Sequence, residues 1–184
     1  MWLAIIGTVI LFVVLVGLVY FNRVIKSRNK IDEAWSEIDI QLNRRRDIIP
    51  KILETVRLYS EQEADLMEQI MATRVRSMTE DGHQDLSQIE SMLSGQLRAL
   101  FASIGKNPQI TSDRGFIDLA RNLASTEDQI QNARKKYNDI VRSYNSLIQS
   151  FPSRLFAEQI GYHREAYFEM EYATPRRNPD SRSA

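Results

Sequence analysis

The chain lacks cysteine, has little glycine or proline, and carries no excess of charge of either sign. Its 184 residues include no Cys, five Pro and seven Gly. Without cysteine there can be no disulfide, zinc thiolate or thiol nucleophile. Gly and Pro cluster between apolar-periodic segments, and no run of alternating apolar and polar residues indicates a strand. These shortages favour an all-α protein built from long helices.

The balance of charge argues against broad binding to nucleic acid. Lys and Arg together number 24, as do Asp and Glu, so the formal net charge is zero. Binding along a phosphate backbone requires a surplus of Lys and Arg. We therefore expect no nucleic-acid partner.

One long apolar run stands at the start of the chain. Residues 2–21 (WLAIIGTVILFVVLVGLVYF) contain no charged side chain and, as a helix, would span about 30 Å, the thickness of a bilayer's hydrocarbon core. Trp2 and Tyr20 stand where aromatic rings favour the membrane interface. A cleaved signal peptide is the rival interpretation, but no Lys or Arg precedes the run and no A-x-A site follows it. Residues 1–22 are thus expected to anchor the chain, with the lipid bilayer as partner.

The positive charges next to this run predict its orientation. Residues 23–30 form a basic juxtamembrane segment containing Arg23, Lys26, Arg28 and Lys30, whereas only the α-amino group precedes the run. The positive-inside rule then predicts a single-pass protein of the bacterial inner membrane, with the N-terminus outside and the bulk of the chain cytoplasmic.

The rest of the chain is predicted to be a helical bundle over residues 31–173. Apolar residues recur every three or four positions in a first stripe: Ile31, Ala34, Trp35, Ile38, Leu42, Ile49, Ile52, Val56, Tyr59, Leu66, Ile70 and Val75. Pro50 should disturb this helix, yet the seven-residue phase survives across it, which favours a continuous, kinked helix over a break.

Two further stripes complete the predicted bundle. The second comprises Leu86, Ile89, Leu93, Leu97, Leu100 and Ile104, and the third comprises Phe116, Leu119, Leu123, Ile130, Tyr137, Ile140, Tyr144, Leu147 and Phe151. We expect Ser112 or Asp113 to cap the third helix. A short fourth helix is expected at residues 154–160, an aromatic segment folding back at 162–172, and a disordered tail at 174–184. Short loops favour an antiparallel up-down bundle with coiled-coil-like packing.

No catalytic constellation appears in the sequence. The chain has no phosphate-binding glycine loop, no H-E-x-x-H and no G-x-S-x-G. Asp81, His83 and Asp85 could ligate a metal ion, but a solvated turn is the commoner explanation for such a group. We therefore predict a non-enzyme without catalytic, cofactor-binding or metal-binding residues.

Arg45 is the charged residue whose position points to the core. Among Arg44, Arg45 and Arg46, only Arg45 continues the apolar stripe, so we expect it to face inward and the other two to face solvent. We further expect Arg45 to pair with Glu127, which lies beside the third stripe; the alternative is that both side chains reach water with their stems packed.

Tyr137-Asn138 and Tyr144-Asn145 recur seven residues apart. This spacing favours tyrosines in the core with their hydroxyls at its edge, and asparagines in a polar ladder.

Three stretches of the sequence are distinctive: RNKIDEAWSEIDIQLNRRRDIIPKILETVRLY (28–59), LASTEDQIQNARKKYNDIVRSYNSLIQSFP (123–152) and GYHREAYFE (161–169). Together, in this order and spacing, they resemble the LemA family. The resemblance implies an N-terminal anchor, an antiparallel helical bundle and no established catalytic activity. One branch of the family is associated with the magnetosome membrane of magnetotactic bacteria, which is consistent with membrane-organising work in that branch. The structural or interaction candidates are Trp35, Arg45, Asp47, Pro50, Glu127, Tyr137 and Asn138.

The function expected from these observations is a non-catalytic, membrane-anchored interaction scaffold or adaptor, with protein partners whose identity the sequence leaves open. An oligomeric membrane-organising protein, and hence a homo-oligomer, is the alternative. A membrane enzyme with an unrecognised site is the third alternative.

Overall fold

The structure, a computed structural model, describes residues 1–151, 154 and 161–169, apart from the side chains of Leu3, Ala4, Val9 and Val13. All regular secondary structure within these residues is helical: α1 (Trp2–Arg57), α2 (Ala64–Thr79), α3 (His83–Ile104), α4 (Pro108–Thr111) and α5 (Arg114–Gln149). The all-α fold with an apolar N-terminal helix is confirmed. The tail at 174–184 and most of the helix expected at 154–160 lie outside the described residues.

Helix α1 continues through Pro50, as the seven-residue phase predicts. Leu42, Ile49 and Val56 are all fully buried, so the apolar stripe keeps its direction across the proline. The stripe beyond Tyr59 belongs to a second helix, because α1 ends at Arg57 and α2 begins at Ala64. Val75 is an exception, since 52% of its side chain is exposed rather than packed.

The chain divides into two compact units. The first unit comprises Met1–Asn43 and Thr126–Tyr167. In it, Trp35 contacts Tyr137 and Glu37 contacts Lys136, so residue numbers rise along α1 as they fall along α5. The two helices are therefore antiparallel. Buried apolar side chains from both line the interior: Val24, Ile31, Ala34, Ile38, Leu42, Ile130, Ala133, Tyr137, Val141, Tyr144 and Ile148.

The second unit comprises Arg44–Ser125 and Phe168–Ala184. Helices α2 and α3 form a hairpin, and the whole predicted stripe of α3, from Leu86 to Ile104, is buried. Asp113 caps α5 as expected, because its Oδ1 accepts a hydrogen bond from the Phe116 amide at 2.7 Å. The loop before it contains an unexpected helical turn, α4, capped by the Asn107 side chain.

The stripe predicted for α5 is partly wrong near its C-terminal end. Val141 and Ile148 are buried there, whereas Ile140 and Leu147 are only half-buried and Phe151 is 83% exposed. An α-helix has 3.6 residues per turn, so the buried partner of Tyr137 and of Tyr144 falls four residues on rather than three. Phe151 lies beyond the end of α5.

Candidate functional site: a buried arginine cluster and a strap-binding groove

A cluster of buried charges lies inside the second unit. We call it the arginine cluster, and it consists of Arg45, Arg46, Ser77, Glu90 and Ser94. Arg45 and Glu90 are 0% exposed and Arg46 is 6% exposed. Because a buried charge is costly unless it is paired and hydrogen-bonded, these groups are stable only together.

The Glu90 carboxylate organises the cluster from α3. Both guanidinium groups form ion pairs with it: Arg45 through Nη2, and Arg46 through Nη2 at 3.0 Å. Arg45 also donates to Ser94 Oγ at 2.6 Å, and Arg46 Nε donates to Ser77 Oγ at 2.7 Å. The Ser77 hydroxyl in turn donates to Glu90 Oε1. The network joins α1, α2 and α3 and fixes their register through charge-assisted hydrogen bonds.

The expectation that only one arginine of the 44–46 run faces inward is wrong. Arg45 is buried as predicted and Arg44 is exposed, but Arg46 is buried as well. The second inward arginine is possible because Ser77 of α2 and Glu90 of α3 supply its partners. Neither residue could be matched to Arg46 by sequence spacing, since they lie 31 and 44 residues away.

The helix carbonyl that Pro50 leaves without a donor is bound by a side chain of α2. A proline has no N–H, so Pro50 cannot donate to the carbonyl of Arg46 four residues earlier. Arg74 Nε donates to that carbonyl oxygen at 2.6 Å. The candidate Pro50 therefore frees an acceptor on α1 that helps to dock α2.

The first unit holds an extended segment against its helix pair. We call residues 161–167 the strap, and the surface of α1 and α5 that binds it the groove. Three side chains of α5 bind the strap's main chain: Tyr144 donates to His163 O at 3.2 Å, Tyr137 donates to Ala166 O at 3.2 Å, and Asn145 binds Glu165 twice. Asn145 Nδ2 donates to Glu165 O and Asn145 Oδ1 accepts from Glu165 N, both at 2.9 Å.

The spacing of the two tyrosines matches that of an extended chain. Seven residues of helix cover about 10.5 Å, and three residues of extended backbone cover about 10 Å. Tyr144 and Tyr137 therefore meet carbonyls three residues apart on the strap. Burial raises the pKa of both phenols above the ordinary 10.0, so they stay protonated, and remain hydrogen-bond donors, further into alkaline pH than a free tyrosine.

One ion pair ties the strap to α1. The Glu165 carboxylate contacts the Arg28 guanidinium, which also lies 3.6 Å from Asp32. The fold-back expected for the aromatic segment is thus observed as far as Glu169. Beyond the strap, in the second unit, Phe168 is fully buried and Ser87 Oγ donates to Glu169 O. Residues 170–172 lie outside the described part of the chain.

The structure brings together some of the sequence candidates. Trp35 and Tyr137 form an edge-to-face ring contact with centroids 5.5 Å apart, next to the groove. Asp47 is exposed, and Asn138 and Glu127 are half-buried. Glu127 belongs to the first unit and Arg45 to the second, so the pairing expected between them stays a prediction.

Sequence reasoning missed Glu90 and Glu165, and it did not predict the burial of Arg46 or the binding of the strap by Asn145. A signal existed for the groove, because Tyr137-Asn138 and Tyr144-Asn145 recur at helical spacing. Both tyrosines are buried as expected, and their hydroxyls bind main-chain carbonyls of the strap, which the repeat alone does not predict. No comparable signal marked Glu90, which stands one residue after a stripe position on α3.

The first part of α1 exposes its apolar side chains. The structure describes one helix long and apolar enough to cross a membrane, near the N-terminus, and only 6% of its most apolar window is buried. The exposed side chains are those of Trp2, Ile5, Ile6, Ile10, Leu11, Phe12, Val14, Leu15, Leu18, Val19 and Phe21. The core helix of a water-soluble protein would be mostly buried, so this exposure is consistent with a membrane anchor.

Comparison with known proteins agrees with these features. The family model described as "LemA family" matches residues 34–181, which include the arginine cluster and the strap. The chain is also 23% identical over 170 residues to "Protein LemA" of Metamycoplasma hominis, an alignment that covers 88% of this chain and 77% of that protein. The match extends over most of the chain, and the chain belongs to the LemA family.

Proposed function

We propose that the protein is a membrane-anchored, non-catalytic interaction scaffold of the bacterial cell membrane. The observation that carries this proposal is the continuity of α1. Its exposed apolar part, up to Phe21, and its packed part, which begins at Val24, belong to one helix. A partner bound to the packed part would therefore be held near the bilayer without a flexible linker between the two.

Membrane anchoring is supported by the exposed apolar side chains that the structure describes among residues 2–21. At about 25 cal/mol per Å² of apolar surface, leaving these side chains in water is unfavourable, and a lipid bilayer removes that cost. The positive charges of Arg23, Lys26, Arg28 and Lys30 support a cytoplasmic location for the bulk of the chain, with the N-terminus outside.

The scaffold arm rests on how the described residues use their buried polar groups. The guanidinium groups of Arg45 and Arg46 bind the Glu90 carboxylate, and Tyr137, Tyr144 and Asn145 bind main-chain atoms of the strap. Groups that satisfy one another in this way hold helices in place. LemA is not known as a family of enzymes, and these contacts give the buried polar groups a structural role, which leaves the exposed surface of the bundle as the part proposed to bind partners.

The test compares the proteins found near the bundle with those found near the anchor. The full chain, fused to a proximity-labelling enzyme, is expressed in its native cell beside two matched fusions. One has residues 2–21 replaced by an unrelated apolar segment of equal length, and the other carries residues 1–30 alone.

The proposal expects the full chain and the anchor-swapped chain to label the same proteins, and the anchor alone to lose them. Labelling of the same set by residues 1–30 alone would contradict the scaffold role, because the bundle would then contribute no partner. If the anchor-swapped chain no longer labels these proteins, the membrane segment and not the bundle binds them.

A further inference from the structure

The contacts that hold the strap do not depend on its covalent connection to α5. Tyr137, Tyr144 and Asn145 bind main-chain atoms, and Arg28 binds one carboxylate. Such a set recognises an extended backbone with an acidic side chain at one position. The same segment from another copy of the chain would present the identical atoms.

The strap begins at a residue suited to a change of direction. Gly161 has φ +74°, the left-handed conformation that glycine adopts at little cost, and no atom lies within 4 Å of the position a Cβ would occupy. A glycine can take up other backbone conformations at little cost, so the chain can change direction at this residue.

We propose that the groove also receives the strap of a second copy of the chain, so that two copies associate by exchanging residues 161–169, the strap together with Phe168 and Glu169 that follow it. Exchange replaces each contact within a copy by the same contact between copies, so its main cost is the entropy of association. Confinement of two chains to one membrane raises their effective concentration and lowers that cost. The inference concerns self-association and stands whether or not the bundle binds other proteins.

The ion pair between Arg28 and Glu165 supplies the selectivity of the exchange. Arg28 is one-third exposed and Glu165 one-quarter exposed, so the pair is partly desolvated, and like charges placed there would repel. A strap with an acidic residue opposite Arg28 is therefore favoured over one with a basic residue there. A charge reversal on one side can therefore be corrected by a reversal on the other side, in the same copy or in a different one.

The first experiment uses the natural absence of cysteine in this chain. Two differently tagged full-length copies, one Arg28→Cys and one Glu165→Cys, are co-expressed in membranes and treated with a short bismaleimide. This reagent spans the gap that two thiols leave where an arginine met a glutamate. The matched control pairs Glu165→Cys with Asn29→Cys, an exposed neighbour on another side of α1. A chain carrying both Arg28→Cys and Glu165→Cys reports the contact within one copy.

Exchange predicts a cross-linked heterodimer from the split pair, several-fold above the Asn29→Cys control. Cross-linking within the doubly substituted chain, with no excess for the split pair over the control, overturns the proposal because the strap then remains in its own groove.

The second experiment needs no reactive thiol. Arg28→Glu and Glu165→Arg chains place like charges together within each copy, whereas exchange between one of each restores opposite charges in both grooves. Co-purification of the two variants in mild detergent should exceed, several-fold, the self-association of either variant and of the Arg28→Glu/Glu165→Arg double variant. Equal association in all four samples overturns the proposal.

Discussion

Arg74 of α2 donates a hydrogen bond to the helix carbonyl that Pro50 cannot reach. The acceptor is the main-chain oxygen of Arg46, and the distance from Arg74 Nε is 2.6 Å. A helix-interior proline normally leaves its i−4 carbonyl without an intrahelical donor. Here that acceptor becomes part of the contact between two helices, so the proline is tolerated inside α1 and contributes to the tertiary structure.

This relationship predicts non-additive effects of substitutions at the two positions. Arg74→Met should lower the free energy of unfolding by about 1–3 kcal/mol, because a partly buried carbonyl loses its donor. In a Pro50→Ala background the loss should be smaller by more than about 0.5 kcal/mol, since the introduced alanine supplies the missing N–H. Urea unfolding of residues 23–184 measures both values. Additive effects would mean that the Arg74 contact does not compensate for the proline.

The arginine cluster predicts strong coupling between Arg45 and Glu90. Glu90→Gln should lower the free energy of unfolding by about 3–5 kcal/mol, because two buried guanidinium groups lose their carboxylate. Arg45→Met should lower it by less, because Glu90 keeps Arg46 as its partner. The double variant should lose much less than the sum of the two. Arg121→Met is the matched control: its ion pair with Asp118 is exposed, so its effect should stay within about 0.5 kcal/mol.

The same cycle with Glu127→Gln in place of Glu90→Gln tests the pairing expected from the sequence. A coupling energy well above 0.5 kcal/mol would support a contact between Arg45 and Glu127, whereas additivity within ~0.5 kcal/mol would end that prediction. Comparing the two coupling energies then shows which of the two carboxylates, Glu90 or Glu127, interacts more strongly with Arg45.

The groove predicts a local effect of Asn145. Asn145→Asp keeps the size of the side chain but replaces the amide donor that faces Glu165 O by an acceptor. Loss of this donor should release the strap from the groove. The Glu165 amide, which donates to Asn145 Oδ1 in the native protein, should then exchange its hydrogen much faster. Hydrogen exchange followed residue by residue measures this. Unchanged protection at Glu165 would show that other contacts hold the strap, and Asn132→Asp on the exposed face of α5 is the control.

The two groove tyrosines predict a loss of stability in alkali. Burial raises the folded-state pKa of Tyr137 and Tyr144 above 10.0, and nearby Arg28 opposes that rise. The folded state therefore binds these protons more tightly than the unfolded state. Their contribution is complete below the unfolded pKa of 10.0 and is lost as the pH rises through the folded values.

Free energies of unfolding, measured as the pH rises from 10.0 through the folded pKa values of the two tyrosines, should fall less steeply for the Tyr137→Phe/Tyr144→Phe variant than for the native sequence. An identical slope would exclude the two phenols as the source of the loss. The Lys136–Glu37 pair also raises the pKa of Lys136 and acts in the same direction, but it is present in both proteins and cancels in the comparison.

The sequence predicts most of the fold because the helices are specified by apolar periodicity. The α3 stripe from Leu86 to Ile104 is buried throughout, and Asp113 caps α5. The continuity of α1 through Pro50 follows from the unbroken phase of Leu42, Ile49 and Val56. Periodicity fails near Phe151, where the helix has ended.

The candidate site is less predictable because its contacts join distant parts of the chain. Arg45 could be assigned to the core from its place in the stripe, but Arg46 could not, since its burial depends on Ser77 and Glu90 of other helices. The strap is held by side chains that bind main-chain atoms, and such contacts leave little mark on the strap's own sequence. Glu165 was therefore missed, and the role of Asn145 in binding the strap was not predicted.

The central claim is that residues 1–22 hold the chain in a membrane and that the remainder folds without it. The most direct measurement is membrane fractionation of the full chain beside residues 23–184, followed by thermal unfolding of the shorter chain. The account predicts that the full chain resists alkaline carbonate extraction and dissolves only in detergent, whereas residues 23–184 are soluble, strongly helical and cooperative in unfolding. Release of the full chain by carbonate, or insoluble aggregates from residues 23–184, would contradict it.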